Sequence, residues 1–277
     1  MYGVVTRNAD EVEWEQFGRG FYEVKDVTGR AAQPLTNAVN MISCFGDTAA
    51  ANSDPQLVPV DDAGNRATRD QRYFDWAYIC PTHQKYQTGL LEIISDSAEA
   101  NPAVRLDDVG FPREGYCRCE RCTRLFEASD HEDWPAWRAD IITEFVEEAV
   151  KLIPDRSYLT LYPDPYPSHL YERAGLDLDA LSELIDEFVI PLYDIHYATT
   201  YWLEALINGF QTRFADSTVS LAVELYAVEV DIDNLVQATN VAEVYADGVY
   251  FGYDASNAAA ALRRKHADNQ SGETYGP

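Results

Sequence analysis

Cys117, Cys119 and Cys122 stand within six residues of one another in the stretch GYCRCERC, and they are three of only five cysteines in the chain. Thiolates bind zinc well because they are soft and anionic, and a closed structural site places four ligands at the corners of a tetrahedron. The fourth is expected from Cys80, in YICPTH, with Cys44 in reserve. A disulfide is a poor alternative, because closing one between Cys117 and Cys119 would strain its geometry. The expected cofactor is therefore a structural Zn²⁺.

A second kind of chemistry lies at the ends of the apolar runs, which repeatedly finish in polar residues. These ends are Cys80-Pro-Thr-His83, Asp107-Asp108, Tyr162-Pro-Asp164, Asp194-Ile-His196-Tyr197, Glu224 and Asp254. Carboxylates facing one another across a cleft can cleave a glycosidic bond. One keeps its proton and protonates the leaving oxygen; the other attacks the anomeric carbon or activates water. Like-charge repulsion between Asp107 and Asp108 would raise one pKa if both faced the cleft. Alternation along a strand points neighbours apart, so one of the two is expected to be structural. Glu224 sits alone in SLAVELYA, an otherwise uncharged strand where a carboxylate without a partner would be costly. His83, Asp107, Asp194, His196 and Asp254 are the candidate hydroxyl-binding residues. For Asp254 a solvated residue or a helix N-cap is the stronger expectation.

Positioning these residues requires a regular scaffold. Strand-like runs are read at Gly3–Thr6, Val39–Cys44, Trp76–Cys80, Ala103–Leu106, Tyr158–Tyr162, Val189–Tyr193, Val219–Leu225 and Gly248–Tyr253. They are near-continuously apolar, as in strands buried on both faces of a parallel sheet. Helical patterns lie between them at Tyr86–Ala98, Pro135–Ile153, Leu178–Phe188, Trp202–Phe214, Ile232–Tyr245 and Ala255–His266, with Asp133 as N-cap of the second. Eight strands alternating with helices predict an α/β fold, a (β/α)8 barrel, with a doubly wound sheet as runner-up. Absence of a glycine-rich loop after any strand weighs against nucleotide binding. Two long loops interrupt the pattern: Gly46–Arg72 is a polar excursion, and Gly110–Asp133, after the fourth strand, carries the cysteines. Residues 1–268 are expected to form one barrel domain, and 269–277 a polar C-terminal tail.

The chain has 47 acidic against 21 basic residues, a net charge of −26, and only four lysines. Such a field repels nucleic acid phosphates and anionic membranes. It also favours a neutral or basic glycan over a polyanionic one as partner. Concentrated salt, with a Debye length of ~3 Å at 1 M, would screen the self-repulsion, so a halophile's interior is the expected habitat. No run approaches the ~18 apolar residues of a membrane span, and the N-terminus lacks a basic region followed by an apolar one. Metal-bound thiolates suit a reducing compartment, so a cytoplasmic location is expected. Homo-oligomerisation stays open.

YICPTHQKY, then RLDD, then GYCRCERCTRLF resembles the barrel of glycoside hydrolase family 42 beta-galactosidases and related glycosidases. In that family a cysteine after strand three joins a C-x-C-x2-C cluster after strand four to bind zinc. The resemblance implies Cys80, Cys117, Cys119 and Cys122 as ligands, and Phe126 matches the phenylalanine after the cluster. It also implies Asp108 as acid/base and Glu224, at the end of strand seven, as nucleophile. The family has Asn-Glu where this chain has Asp107-Asp108. Other glycosidases with similar loops use a strand-four aspartate as nucleophile, as alpha-galactosidase and alpha-fucosidase barrels do. That arrangement would make Asp194 the acid.

Three functions compete. The first is a glycoside hydrolase. The second is a catalytically silent barrel that binds a sugar or a protein partner. The third, a hydrolase with zinc in its mouth, is disfavoured because all-cysteine sites are normally closed. The five histidines also form no H-x-H or H-E-x-x-H pattern.

Overall fold

Eight short strands pair in chain order, all parallel, and the last closes onto the first. They are β1 (Tyr2–Thr6), β2 (Arg19–Lys25), β3 (Val39–Ser43), β4 (Val104–Asp107), β5 (Ser157–Thr160), β6 (Glu187–Leu192), β7 (Ser220–Tyr226) and β8 (Gly248–Gly252). The helices are α1 (Thr48–Ser53), α2 (Gln84–Ala100), α3 (Glu120–Glu127), α4 (Trp134–Val150), α5 (His169–Ala174), α6 (Leu178–Ser182), α7 (Tyr201–Arg213), α8 (Ile232–Tyr245) and α9 (Ala255–Glu273). The structure, a computed structural model, describes residues 1–273, so 274–277 of the expected polar tail lie outside the described residues. The fold is a (β/α)8 barrel. No helix among the described residues is long and apolar enough to cross a membrane.

Alternation along each strand sends one set of side chains into the lumen, where Val5, Phe21, Val39, Met41, Ala103, Tyr158, Val189, Ala222 and Tyr250 form a closed cluster. At the strand starts this core is sealed by an ion network. Glu187, buried, accepts from Arg156 at 2.8 Å and from Tyr250, with Arg19 at 3.8 Å. The opposite faces of the strands and the inner faces of the helices form the larger apolar layer. Capping follows the sequence where a cap is written: Asp133 accepts from the Ala136 N–H at 2.8 Å, and Pro135 sits in the first turn of α4.

Two expected elements differ. Arg19–Lys25 is the second strand, whereas Trp76–Cys80 is not a strand of the barrel. The latter runs antiparallel to the chain leaving β3, with bonds Asp47 N–H to Ala77 O at 3.0 Å and Ile79 N–H to Phe45 O at 2.8 Å. Its apolar residues are covered by the excursion itself, where Ala77 and Ile79 pack on Ala51 and Val58. β2 escapes notice because Glu23 faces the lumen beyond Phe21 and a register shift after it turns Lys25 toward α2, so polar groups interrupt the apolar run. The helix expected at Leu178–Phe188 stops at Ser182, and its end enters β6.

Candidate active site and cysteine centre

The loop after β4 brings Cys117, Cys119 and Cys122 to Cys80, which reaches them from the end of the β3 excursion. The four ligand atoms lie within 4.8 Å of one another. Cys119 is the N-cap of α3, its sulfur 3.5 Å from the Cys122 N–H, and the Cys117 sulfur is 3.5 Å from the Cys119 N–H. Such amide contacts suit anionic sulfur. A tetrahedron of sulfurs at about 2.3 Å from a central ion has edges of about 3.8 Å, which this cluster fits with small adjustment; Cys80 and Cys122 are 3.4 Å apart. These residues could hold a metal ion. Cys44 is buried elsewhere, its sulfur 3.6 Å from the Ile42 carbonyl. The loop is tied to the excursion by the Arg118 N–H on Val60 O at 2.7 Å. Arg138 of α4, 1% exposed, ties it to α5 by donating to the carbonyls of Arg113, Glu114, Glu172 and Arg173 at 2.7–3.1 Å.

A cavity of about 460 Å³ opens at the C-terminal ends of the strands, walled by Glu23, Trp76, Arg105, Asp107, Asp108, Tyr162, Tyr193 and Tyr253 among others. Both aspartates line it, contrary to the expectation from strand alternation. Asp108 has φ 51°, a left-handed conformation that turns the backbone and returns its side chain to the mouth. Its Oδ2 lies 2.6 Å from Ser43 Oγ. That hydroxyl is also 2.9 Å from the Gly46 carbonyl, which can only accept. The one Ser43 hydrogen serves these two acceptors, and where it points to Oδ2 it favours the Asp108 carboxylate. Burial, and then the Asp107 charge, push the Asp108 pKa up to about 8, against the Ser43 contact and Lys25. Gly46 permits this crowding. A Cβ there would come within 3.0 Å of Ser43 Oγ, Asp108 Oδ2 and Trp76 Nε1. The buried Trp76 Nε1 has no hydrogen-bond partner among the described residues.

The missed strand β2 supplies further site residues. Glu23, buried, is ion-paired with Arg7, and burial followed by the Asp107 and Asp26 charges lifts its pKa to about 7 despite that partner. Lys25 donates to the carbonyls of Ser43 at 2.7 Å and Gly46 at 3.1 Å, and pairs with Asp47 at 3.2 Å. It thereby fixes the turn that carries Ser43 beneath Asp108. The signal for Glu23 was the period-two pattern of RGFYEVK; Lys25 falls beyond a register shift that the pattern does not show.

Glu224 lies one layer below. Its side chain is 0% exposed, with Oε2 2.6 Å from Arg105 Nη1, although the pair lacks the in-line geometry of a hydrogen bond. Tyr193, 45% exposed at the mouth, donates its hydroxyl to Oε1. A Cβ on Gly252 would stand 2.9 Å from that oxygen, so this close approach requires glycine. Burial and nearby carboxylates push the Tyr193 and Tyr253 phenols well up, keeping both as donors.

The other expected residues stand apart from this cavity. His83 precedes α2, where burial and Arg121 lower its pKa. Asp194 accepts from the His196 N–H at 2.9 Å in the turn after β6, and His196 is exposed. Asp254 caps α9 by accepting from the Asn257 N–H at 2.9 Å. None of the four is on the cavity wall.

A closed parallel barrel with a carboxylate-lined cavity at the strand C-termini is the architecture of (β/α)8 enzymes. No protein-family model and no curated protein matches the chain. Among solved structures it is similar to alpha-L-fucosidase isoenzyme 2 from Paenibacillus thiaminolyticus, at 12% identity and TM-score 0.66, over 96% of this chain and 46% of that one. It is also similar to the beta-N-acetylhexosaminidase from Bacteroides fragilis, at 9% identity and TM-score 0.54, over 95% and 65% of the two chains. A third likeness is to an alpha-amylase from Lactobacillus plantarum, at 12% identity and TM-score 0.50, over 91% and 70%. The chain spans less than half of the fucosidase and under two thirds of the hexosaminidase. At these identities the likeness is one of fold.

Proposed function

We propose that the protein is a glycoside hydrolase of neutral glycans, with Asp108 as proton donor, Glu224 as attacking carboxylate and a structural zinc in the cysteine cluster. The observation that carries the reading is the meeting of Asp107 and Asp108 on one cavity wall, where burial and the Asp107 charge push the Asp108 pKa up to about 8. Two carboxylates in different environments, one protonated and one ion-paired, are the requirement of acid-assisted glycoside cleavage. Asp108 gives its proton to the leaving oxygen as the C–O bond breaks, while Glu224 bonds to the anomeric carbon. Water then attacks that carbon, the bond to Glu224 breaks to restore its carboxylate, and the water's proton returns to Asp108. In this scheme the sugar displaces the Tyr193 hydroxyl from Glu224, and Arg105 stays behind the carboxylate. Asp107, which already opens on the cavity, is the rival nucleophile, and Asp107→Asn against Glu224→Gln separates the two. Zinc, held by Cys80, Cys117, Cys119 and Cys122, would cross-link the loops and take no part in chemistry.

Asp108→Asn should lower turnover of an alkyl glycoside by roughly 10²–10⁴-fold and that of an activated aryl glycoside far less, because an easy leaving group needs little protonation. In the parent protein, alkyl glycoside turnover should fall as pH rises through about 8, where Asp108 loses its proton. A pH profile without that limb, or equal losses on both substrates, refutes the assignment. The same elevation has a stability sign. Above the unfolded carboxyl pKa, of about 4, the native state holds the extra proton, so stability declines as pH rises from there to about 8.

The net charge of −26 supports a high-salt habitat. The melting temperature should climb as chloride rises from dilute buffer to molar concentration. A flat or falling curve contradicts this.

A second reading, a sugar-binding barrel without turnover, is favoured by the complete enclosure of Glu224. Sugar binding by calorimetry with no hydrolysis on a glycoside panel at molar chloride would select it.

A further inference from the structure

A second cavity, of about 540 Å³, lies beside the first, between the cysteine loop, the β3 excursion and α5; its wall includes Tyr73, Arg113, Tyr116, Asp164, His169 and Arg173. We propose that it is a second sugar-binding subsite, so that the ligand is a neutral oligosaccharide spanning both cavities. Calling that ligand a substrate rests on the hydrolase reading above.

Packed rings, most of them buried, fill the wall between the two cavities. Trp76 at the wall of the first stands 5.9 Å from Tyr78, Tyr78 5.4 Å from Phe74, and Phe74 5.6 Å from both Tyr116 and Tyr73 at the second. On the opposite side Arg173 lies over the ring of Tyr162, at 4.7 Å, and Tyr162 lines the first cavity. Pyranose rings present flat C–H faces that aromatic rings cover, and hydroxyls that need donors and acceptors together. The second cavity offers both. Arg113 is stacked over Tyr73 at 4.5 Å, and neither it nor Arg173 has a side-chain hydrogen bond or ion pair among the described residues. Their Nε atoms are buried without partners. Stacking on tyrosine pre-sets the two guanidinium groups, whose terminal nitrogens are the donors within reach of a sugar. Acceptors face them in Asp164, bonded to His169 at 3.1 Å, and in the neighbouring Asp61 and Glu172.

Charge selects the class of sugar. The wall carries Asp61, Glu114, Asp164 and Glu172 against two arginines, so a uronate or sulfated sugar would be repelled. The walls are also pre-built, because the Arg138 fork joins the Arg113–Glu114 backbone to the Glu172–Arg173 backbone. A rigid site of this kind wastes little binding energy on ordering.

The test compares each disaccharide with the methyl glycoside of its non-reducing sugar by calorimetry at molar chloride. The pairs are lactose, cellobiose, chitobiose and maltose with their methyl galactoside, glucoside, N-acetylglucosaminide and α-glucoside, on Asp108→Asn protein to suppress turnover. At least one disaccharide should bind about tenfold more tightly than its partner, a gain of about 1.4 kcal/mol. Arg113→Ala and Arg173→Ala should each reduce that gain, with thermal scans verifying that the fold persists. No binding by any pair, equal affinities within every pair, or a gain untouched by both replacements overturns the proposal. Tighter disaccharide binding with no hydrolysis by the parent protein would sink the hydrolase reading and leave the subsite standing.

Discussion

Replacing Glu224 by glutamine is expected to abolish glycoside turnover, by roughly three orders of magnitude or more, and to cost about 3–5 kcal/mol of stability. The two losses have different origins. Turnover falls because an amide oxygen cannot form the glycosyl bond. Stability falls because Arg105, 1% exposed and 2.6 Å from Glu224, keeps its charge in a site from which water is excluded. Denaturant unfolding of the single variant should show the loss directly. Replacing both members, as Arg105→Met with Glu224→Met, should recover much of the stability without restoring turnover, because no buried charge is then stranded. A fully active Glu224→Gln protein would remove Glu224 from the chemistry and pass the nucleophile's role to Asp107.

Metal removal is the second large effect. Purified protein should carry about one zinc per chain. Cys119→Ser should lose it and melt about 10 °C or more lower, since binding free energy of a structural zinc is folding free energy. The loss should be local in origin: protease should cut first between residues 110 and 133, where the cluster and α3 hold the loop. Cys44→Ala, outside the cluster, should keep its metal. A metal-free parent protein, or zinc retained by Cys119→Ser, contradicts the assignment.

The barrel and the cysteine centre were legible because each is written in a simple repeat. Buried parallel strands are apolar on both faces, and C-x-C-x2-C puts three thiolates on one short loop. The mouth was less so. β2 went unread because Glu23 points into the lumen and Lys25 follows a register shift, and polar residues at a strand's end break the very pattern that identifies a strand. Trp76–Cys80 misled in the opposite sense, being apolar because a loop covers it. Asp107 and Asp108 share the mouth only through the left-handed turn at Asp108, a dihedral choice that no composition announces. Arg105 was overlooked as the partner of Glu224, since its neighbours in sequence give no sign of a contact across the lumen.

The Arg138 fork has a consequence for the conditions the chain can endure. Ion pairs between carboxylates and cations fade when mobile ions crowd around them. Arg138 binds no carboxylate; its partners are four peptide carbonyls, which carry no net charge to be screened and no proton to gain. Burial lowers its own pKa only to about 10, so it stays cationic below that. The joint between the cysteine loop and α5 is therefore nearly blind to brine and to acidity alike. It holds the two walls together under the same concentrated salt that weakens the surface pairs around it.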